Sequence, residues 1–269
     1  MHAHGRPRAR RPWLPVLGAA LAVAALCAVG AWRPWAMPAA PVAAPESAVV
    51  AASAPAPLLI PENPRVLVFG DSWVYGSAAI VPTLGFAYRL GELEGWETVV
   101  DGVRGSGYLK SGVDGPAYGE RIAALDPELD VDLVIVEGSI NDRRLPAEGY
   151  RDAVTAAWDA LAAHFPDAQI VILGPAPQVL PVEAATARID ADLAHLAALR
   201  GWWYISPIAE DWITPANHLE VIDTGAGRDH PSTAGHAYLA ERVSAALAAA
   251  ADAATVSADA PVDAEPLAP

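Results

Sequence analysis

Apolar residues along the middle of the chain come in two patterns. Short unbroken runs occur at Val66-Leu67-Val68-Phe69, Leu133-Val134-Ile135-Val136, Ile170-Val171-Ile172-Leu173 and Trp203-Tyr204-Ile205, with a weaker one at Glu97-Thr98-Val99-Val100. Rich in β-branched residues and closed by Gly, Pro or Asp, they predict five buried strands. Between them apolar residues recur every three or four positions. Phe86, Leu90 and Leu93 predict a helix over residues 83–94. Val154, Trp158, Leu161 and Phe165 predict a second, and Ile189, Leu193 and Leu196 a third, which Gly201 caps. Leu239, Val243 and Leu247 mark a last helix after His230-Pro231. Fully apolar strands alternating with amphipathic helices predict a parallel sheet covered on both faces. Right-handed crossovers then give a three-layer α/β/α sandwich with about five strands, flavodoxin-like in outline.

The two ends of the chain break this pattern. Arg6, Arg8, Arg10 and Arg11 precede an uncharged apolar stretch from Trp13 to Trp32. Its 20 residues match the ~30 Å that a helix must cover to cross a bilayer core. Residues 1–37 are therefore expected to form a basic cytoplasmic segment plus a signal anchor, with cleavage near Pro38-Ala39-Ala40 as the alternative. The following domain would then lie outside the cytoplasm, tethered to the cell membrane or secreted. Cys27, the single cysteine, lies inside the apolar stretch, so the exported part has no disulfide. Residues 38–62, rich in Pro and Ala, read as a linker, residues 63–249 as the folded domain, and residues 250–269 as a disordered tail.

Charge narrows the partners. No acidic residue occurs before Glu46, so from there on 12 basic residues face 32 acidic ones, a net charge of −20. Such a domain is poorly suited to nucleic acid or to an anionic membrane surface.

The candidate chemistry lies where strands end. The first run stops at Gly70-Asp71-Ser72, placing a hydroxyl at the carboxyl edge of the sheet, where open α/β sheets bind ligands. The second strand is followed by Asp101-Gly102-Val103-Arg104-Gly105-Ser106-Gly107, the third by Glu137-Gly138-Ser139-Ile140-Asn141-Asp142. Parallel topology brings these loops to the same edge. Nucleophilic acyl transfer needs a hydroxyl, a base and donors for an oxyanion. Ser72 supplies the first. His230, opening the last helix in Gly-Arg-Asp-His-Pro-Ser, is positioned to be the second. The backbone N–H groups of Ser72 and Gly105 and the Asn141 amide are candidates for the third.

In these blocks the sequence resembles the SGNH (GDSL-type) hydrolases: Gly70-Asp71-Ser72 with Gly76, then Gly105 (Gly107 being the second choice of register), then Gly138 through Asp142, then His230-Pro231. The resemblance implies a serine esterase or lipase-like hydrolase of carboxylic esters, working through an acyl-enzyme without metal or cofactor. Its substrate would be an acylated glycan or a lipid ester. Two departures stand out. The spacing from Gly138 to Asn141 is one residue longer than the family's Gly-x-Asn. The Asp usual three residues before the histidine is replaced by Gly227. Asp229 is a tentative substitute, disfavoured because adjacent side chains diverge. Asp223 or a backbone carbonyl could orient the ring in its place. His236 reads as packing or capping, and Asp71 and Asp142 as loop-holding carboxylates. An acyltransferase using the same serine and a non-catalytic surface-binding domain are the alternatives. Loss of the Asp partner favours the latter, while retention of nucleophile, base and amide donor together speaks against it. The order of Gly102, Gly105 and Gly107 excludes a dinucleotide fingerprint, and there is no zinc-ligand spacing.

Overall fold

The computed structural model describes residues 55–258. The amino-terminal apolar stretch, for which an anchor is expected, lies outside the described residues. Among the described residues no helix is long and apolar enough to cross a membrane.

Five strands, β1 (Arg65–Gly70), β2 (Glu97–Gly102), β3 (Leu133–Glu137), β4 (Gln169–Leu173) and β5 (Trp203–Ile205), form one parallel sheet in the order β2-β1-β3-β4-β5. The helices are α1 (Ser72–Tyr75), α2 (Phe86–Glu94), α3 (Tyr118–Ala123), α4 (Tyr150–His164), α5 (Ala184–Arg200), α6 (His218–Val221) and α7 (Thr233–Ala258). Strand side chains alternate between two cores. Val66, Val68, Ile135 and Val171 pack with Phe86 and Leu90 of α2 and with Leu239, Val243 and Leu247 of α7. Leu67, Phe69, Val134, Val136 and Ile172 pack with α3, α4 and α5. This is the expected three-layer α/β/α sandwich.

Details differ from the periodicity. The helix α2 begins at Phe86, after a 3₁₀ turn at Pro82–Leu84, and Leu93, one residue before its end, is exposed. The linker does not run unattached to residue 62: Leu58 is buried and Trp203 donates to the Ala56 carbonyl. The last helix continues past residue 249 to Ala258, with Ala250 still in the core.

Register positions the site. Phe69 of β1 lies level with Asp101 of β2 and Val136 of β3, so three consecutive loops leave the sheet side by side. A two-residue antiparallel pair, β6 (Ile222–Asp223) with β7 (His230–Pro231), folds the last loop back over them.

Candidate active site

Ser72 is the first residue of α1, so its N–H has no acceptor within the helix. Asp71 caps that helix, its Oδ1 accepting from Trp73 N–H at 2.9 Å. The Ser72 hydroxyl has one proton and two neighbours: His230 Nε2 at 2.9 Å and Asp71 Oδ1 at 3.4 Å. The shorter contact takes it.

His230 Nδ1 lies 2.8 Å from the Gly227 carbonyl and 3.1 Å from that of Arg228. Carbonyls only accept, so the proton sits on Nδ1 and the Nε2 lone pair faces the serine. That is the tautomer a general base needs. Asp229 makes neither a hydrogen bond nor an ion pair with the ring; Asp223 spends a carboxylate oxygen on Gly225 N–H. Position 227 has no room for the family's usual carboxylate, since a Cβ there would meet Asp223 Cβ at 2.6 Å and Ala78 Cβ at 2.7 Å. Asp229 is thus not seen in the orienting role given to it tentatively; the backbone occupies it.

Gly105 lines the cleft with Ser72, Asn141 and His230. Its φ of +76° suits glycine, and its N–H meets no acceptor among the described residues. Gly107 is otherwise engaged, its N–H donating to the Lys110 carbonyl. Asn141 stands where expected, but both its amide hydrogens are in use: Nδ2 donates to Asp71 Oδ2 at 2.8 Å and to the Ser106 carbonyl at 3.0 Å. Asp142 holds the neighbouring loop by accepting from Tyr108 and Leu109 N–H.

Three buried groups lie beneath this edge, and two of them, Arg121 and Glu137, escaped the sequence reading. Arg121 donates to the Gly70 carbonyl, Ser106 Oγ and both the carbonyl and carboxylate of Asp101, and lies 4.1 Å above the Phe69 ring. It clamps the ends of β1 and β2 to the loop that carries Gly105. Glu137 accepts from Asp71 N–H, and burial together with the Asp71 charge pushes its carboxyl well above the ordinary range. Burial raises Asp71 as well, partly offset by hydrogen bonds and by the nearby His230, so Glu137 is the more strongly raised of the two. His236 is wholly buried: its Nδ1 accepts from Phe86 N–H at 3.1 Å and its Nε2 donates to the Ser77 carbonyl at 3.0 Å. It caps α2, as the packing-or-capping reading expects. No spacing rule would have found Arg121 or Glu137, whose partners are distant in sequence.

A cleft of about 790 Å³ opens above Ser72 and His230. A hydroxyl in contact with an imidazole nitrogen and unspent backbone donors stand together on a parallel α/β edge, the combination that nucleophilic acyl transfer requires. The model of the GDSL-like lipase/acylhydrolase family matches residues 68–238, and the chain belongs to that family of ester hydrolases. A GDSL lipase of Mycobacterium tuberculosis is 28% identical over 141 residues, covering 51% of this chain and 59% of that protein. The chain thus spans less than two thirds of that relative's length. Among solved structures, a G-D-S-L family protein of Desulfitobacterium hafniense superposes with a TM-score of 0.56 at 18% identity, over 68% of this chain and 99% of its own. The native M. smegmatis aryl esterase does so with a TM-score of 0.53 at 15% identity, over 69% and 99%. Identities this low speak to the fold.

Proposed function

We propose that the protein hydrolyses carboxylic (O-acyl) esters through an acyl-enzyme formed on Ser72. One observation carries this: the 2.9 Å contact between Ser72 Oγ and His230 Nε2, with Nδ1 held by two carbonyls. Ser72 Oγ attacks the ester carbonyl as its proton passes to Nε2. The oxyanion is met by the N–H groups of Ser72 and Gly105. Asn141 joins them when one of its two amide hydrogens turns from Asp71 or Ser106 to the substrate. Collapse breaks the acyl–oxygen bond, and the leaving alkoxide takes the proton from imidazolium. Water then attacks the acyl-serine, giving its proton to Nε2, and the carboxylic acid departs with Ser72 restored. The carbonyls stabilise imidazolium less than a carboxylate would, but they set its orientation. A purely binding domain would have no use for a hydroxyl and an imidazole in contact.

The domain acts outside the cytoplasm in this proposal, on the strength of the four arginines and the 20-residue apolar stretch of the amino terminus. High-salt washing should leave the full chain in the membrane pellet. A soluble product beginning near Ala40 would refute the anchor.

The catalytic test is turnover of p-nitrophenyl esters by the full chain. Ser72→Ala and His230→Ala should each lower kcat by at least about 10³-fold, since nucleophile and base act as a unit. Asp229→Asn should leave it within about tenfold. Mass spectrometry should trap an acyl adduct on Ser72. A folded protein that turns over no acyl ester would refute hydrolysis, and faster transfer to an added alcohol than to water would make it an acyltransferase.

A further inference from the structure

Eleven arginines lie among the described residues of this strongly acidic chain. Nine are held by a carboxylate or a carbonyl. Arg65, Arg104, Arg121, Arg143, Arg151, Arg188, Arg200 and Arg242 form ion pairs, and Arg89 donates to the Leu84 carbonyl. The two without a partner, Arg144 and Arg228, both line the active-site cleft. Among the described residues, both guanidinium groups without a partner thus fall on the cleft that holds Ser72 and His230.

The surroundings reinforce it. Arg104 and Arg143 line the same cleft, so it takes four of the domain's twelve basic residues against one carboxylate, Asp229. Arg104 is fixed by a two-point bond to Asp114 and lies 5.1 Å above the Tyr75 ring. Arg143 is fixed by Glu183, Gln178 and the Ile140 carbonyl. These two make rigid walls with their charge already balanced. Arg144 follows Asn141 closely in the 3₁₀ turn Ile140–Arg144, while Arg228 belongs to the loop that orients His230. They reach the cleft from separate loops, and the one carboxylate lining it with them is Asp229, Asp71 being buried beneath its floor. A guanidinium with all its donors unspent is suited to a carboxylate or a phosphate.

We propose that the preferred substrate is an ester carrying an anionic group, carboxylate or phosphate, close to the scissile carbonyl, and that Arg144 and Arg228 are its specificity-determining contacts. The inference rests on the ester-hydrolase reading above.

The test compares matched esters on the full chain. Mono-p-nitrophenyl succinate against methyl p-nitrophenyl succinate places the charge on the acyl side. 4-Acetoxybenzoate against its methyl ester places it on the alcohol side. The kcat/KM ratio of anionic to neutral ester should exceed about tenfold in one arm, as two half-solvated charge-assisted contacts would give. It should fall as salt rises. Arg144→Gln combined with Arg228→Gln should bring the ratio near one, and Arg144→Lys should recover part of it. Neutral esters cleaved in a Ser72-dependent way with no anionic preference in either arm would overturn this inference and leave the hydrolase reading standing, as would a preference that survives the double variant. If no ester is cleaved, the hydrolase reading falls, and calorimetric titration of monomethyl succinate against dimethyl succinate decides the anion site by itself. Binding of the anion alone, lost in the double variant, supports the site, and equal or no binding overturns it.

Discussion

His236 makes acid stability a sharp test of how the cleft is supported. Its ring is neutral in the native state, because Nδ1 must accept the Phe86 N–H while Nε2 donates to Ser77, beside the cleft wall. Adding a proton would set two N–H groups against each other in a buried site. Burial is the main cause that lowers its pKa from 6.5 to about 4, with His230 and Arg89 adding repulsion. The unfolded chain therefore takes up the proton first. Stability is intact above 6.5 and declines as pH falls toward 4. At 1.36 kcal/mol per pKa unit, this one residue removes about 2 kcal/mol by pH 5. Urea unfolding between pH 7.5 and 5 measures it. His236→Gln retains an acceptor and a donor but no titration, so its loss over the same range should be smaller than wild type by that amount. Only the difference in pH slope is compared, so a generally weaker variant does not blur the result. Equal slopes would refute the neutral, capping role.

Asn141→Ala should lower kcat by about 10²-fold or more if its amide reaches the oxyanion, and should cost about 1–3 kcal/mol because Asp71 and Ser106 each lose a donor; a change confined to KM would refute the oxyanion role. Burial raises the folded pKa of Glu137 well above its ordinary value, so its contribution is complete below about 4.5 and lost as pH rises toward the folded value. Glu137→Gln should flatten that part of the stability profile, and an unchanged profile in denaturant titrations would place the proton elsewhere. Gly227→Asp restores the family's usual residue but should lower stability and not raise kcat, because its Cβ enters space held by Asp223 and Ala78; a more active variant with unchanged unfolding would show that the loop can open.

The fold was legible because its elements are dictated locally. Strands buried on both faces cannot carry polar residues, and β1, β3 and β4 are apolar throughout their centres. Tyr118–Ala123 escaped because it is short and its buried face includes Arg121, which reads as surface until its partners are known. Ser72 and His230 were legible from their blocks. What fixes the imidazole was not, since it depends on how tightly residues 223 and 227 approach after the chain doubles back. The cleft arginines were equally hidden, with 104, 143, 144 and 228 sharing no sequence pattern.

The Gly-to-Asn spacing shows how a motif can mislead when one residue type is asked to serve two purposes. Counted from Gly138, the block carries an extra residue. Yet Asn141 arrives beside Asp71 and Ser106. The backbone at Ser139 is left-handed, with φ of +50°, and Ser139 stands one residue before Ile140-Asn141, where Gly-x-Asn would put its glycine. A serine there costs about 1–2 kcal/mol relative to its relaxed backbone. It is held by full burial and by a 2.9 Å hydrogen bond between Oγ and the Tyr150 hydroxyl. Gly138 answers a different need: a Cβ would come within 2.8 Å of Pro175 N and 3.0 Å of the Gly174 carbonyl carbon, closing off the approach of the loop after β4. The glycine in the sequence is therefore a packing glycine. The turn that delivers Asn141 is made by a serine, Ser139, whose left-handed backbone stands at the Gly-x-Asn distance from it.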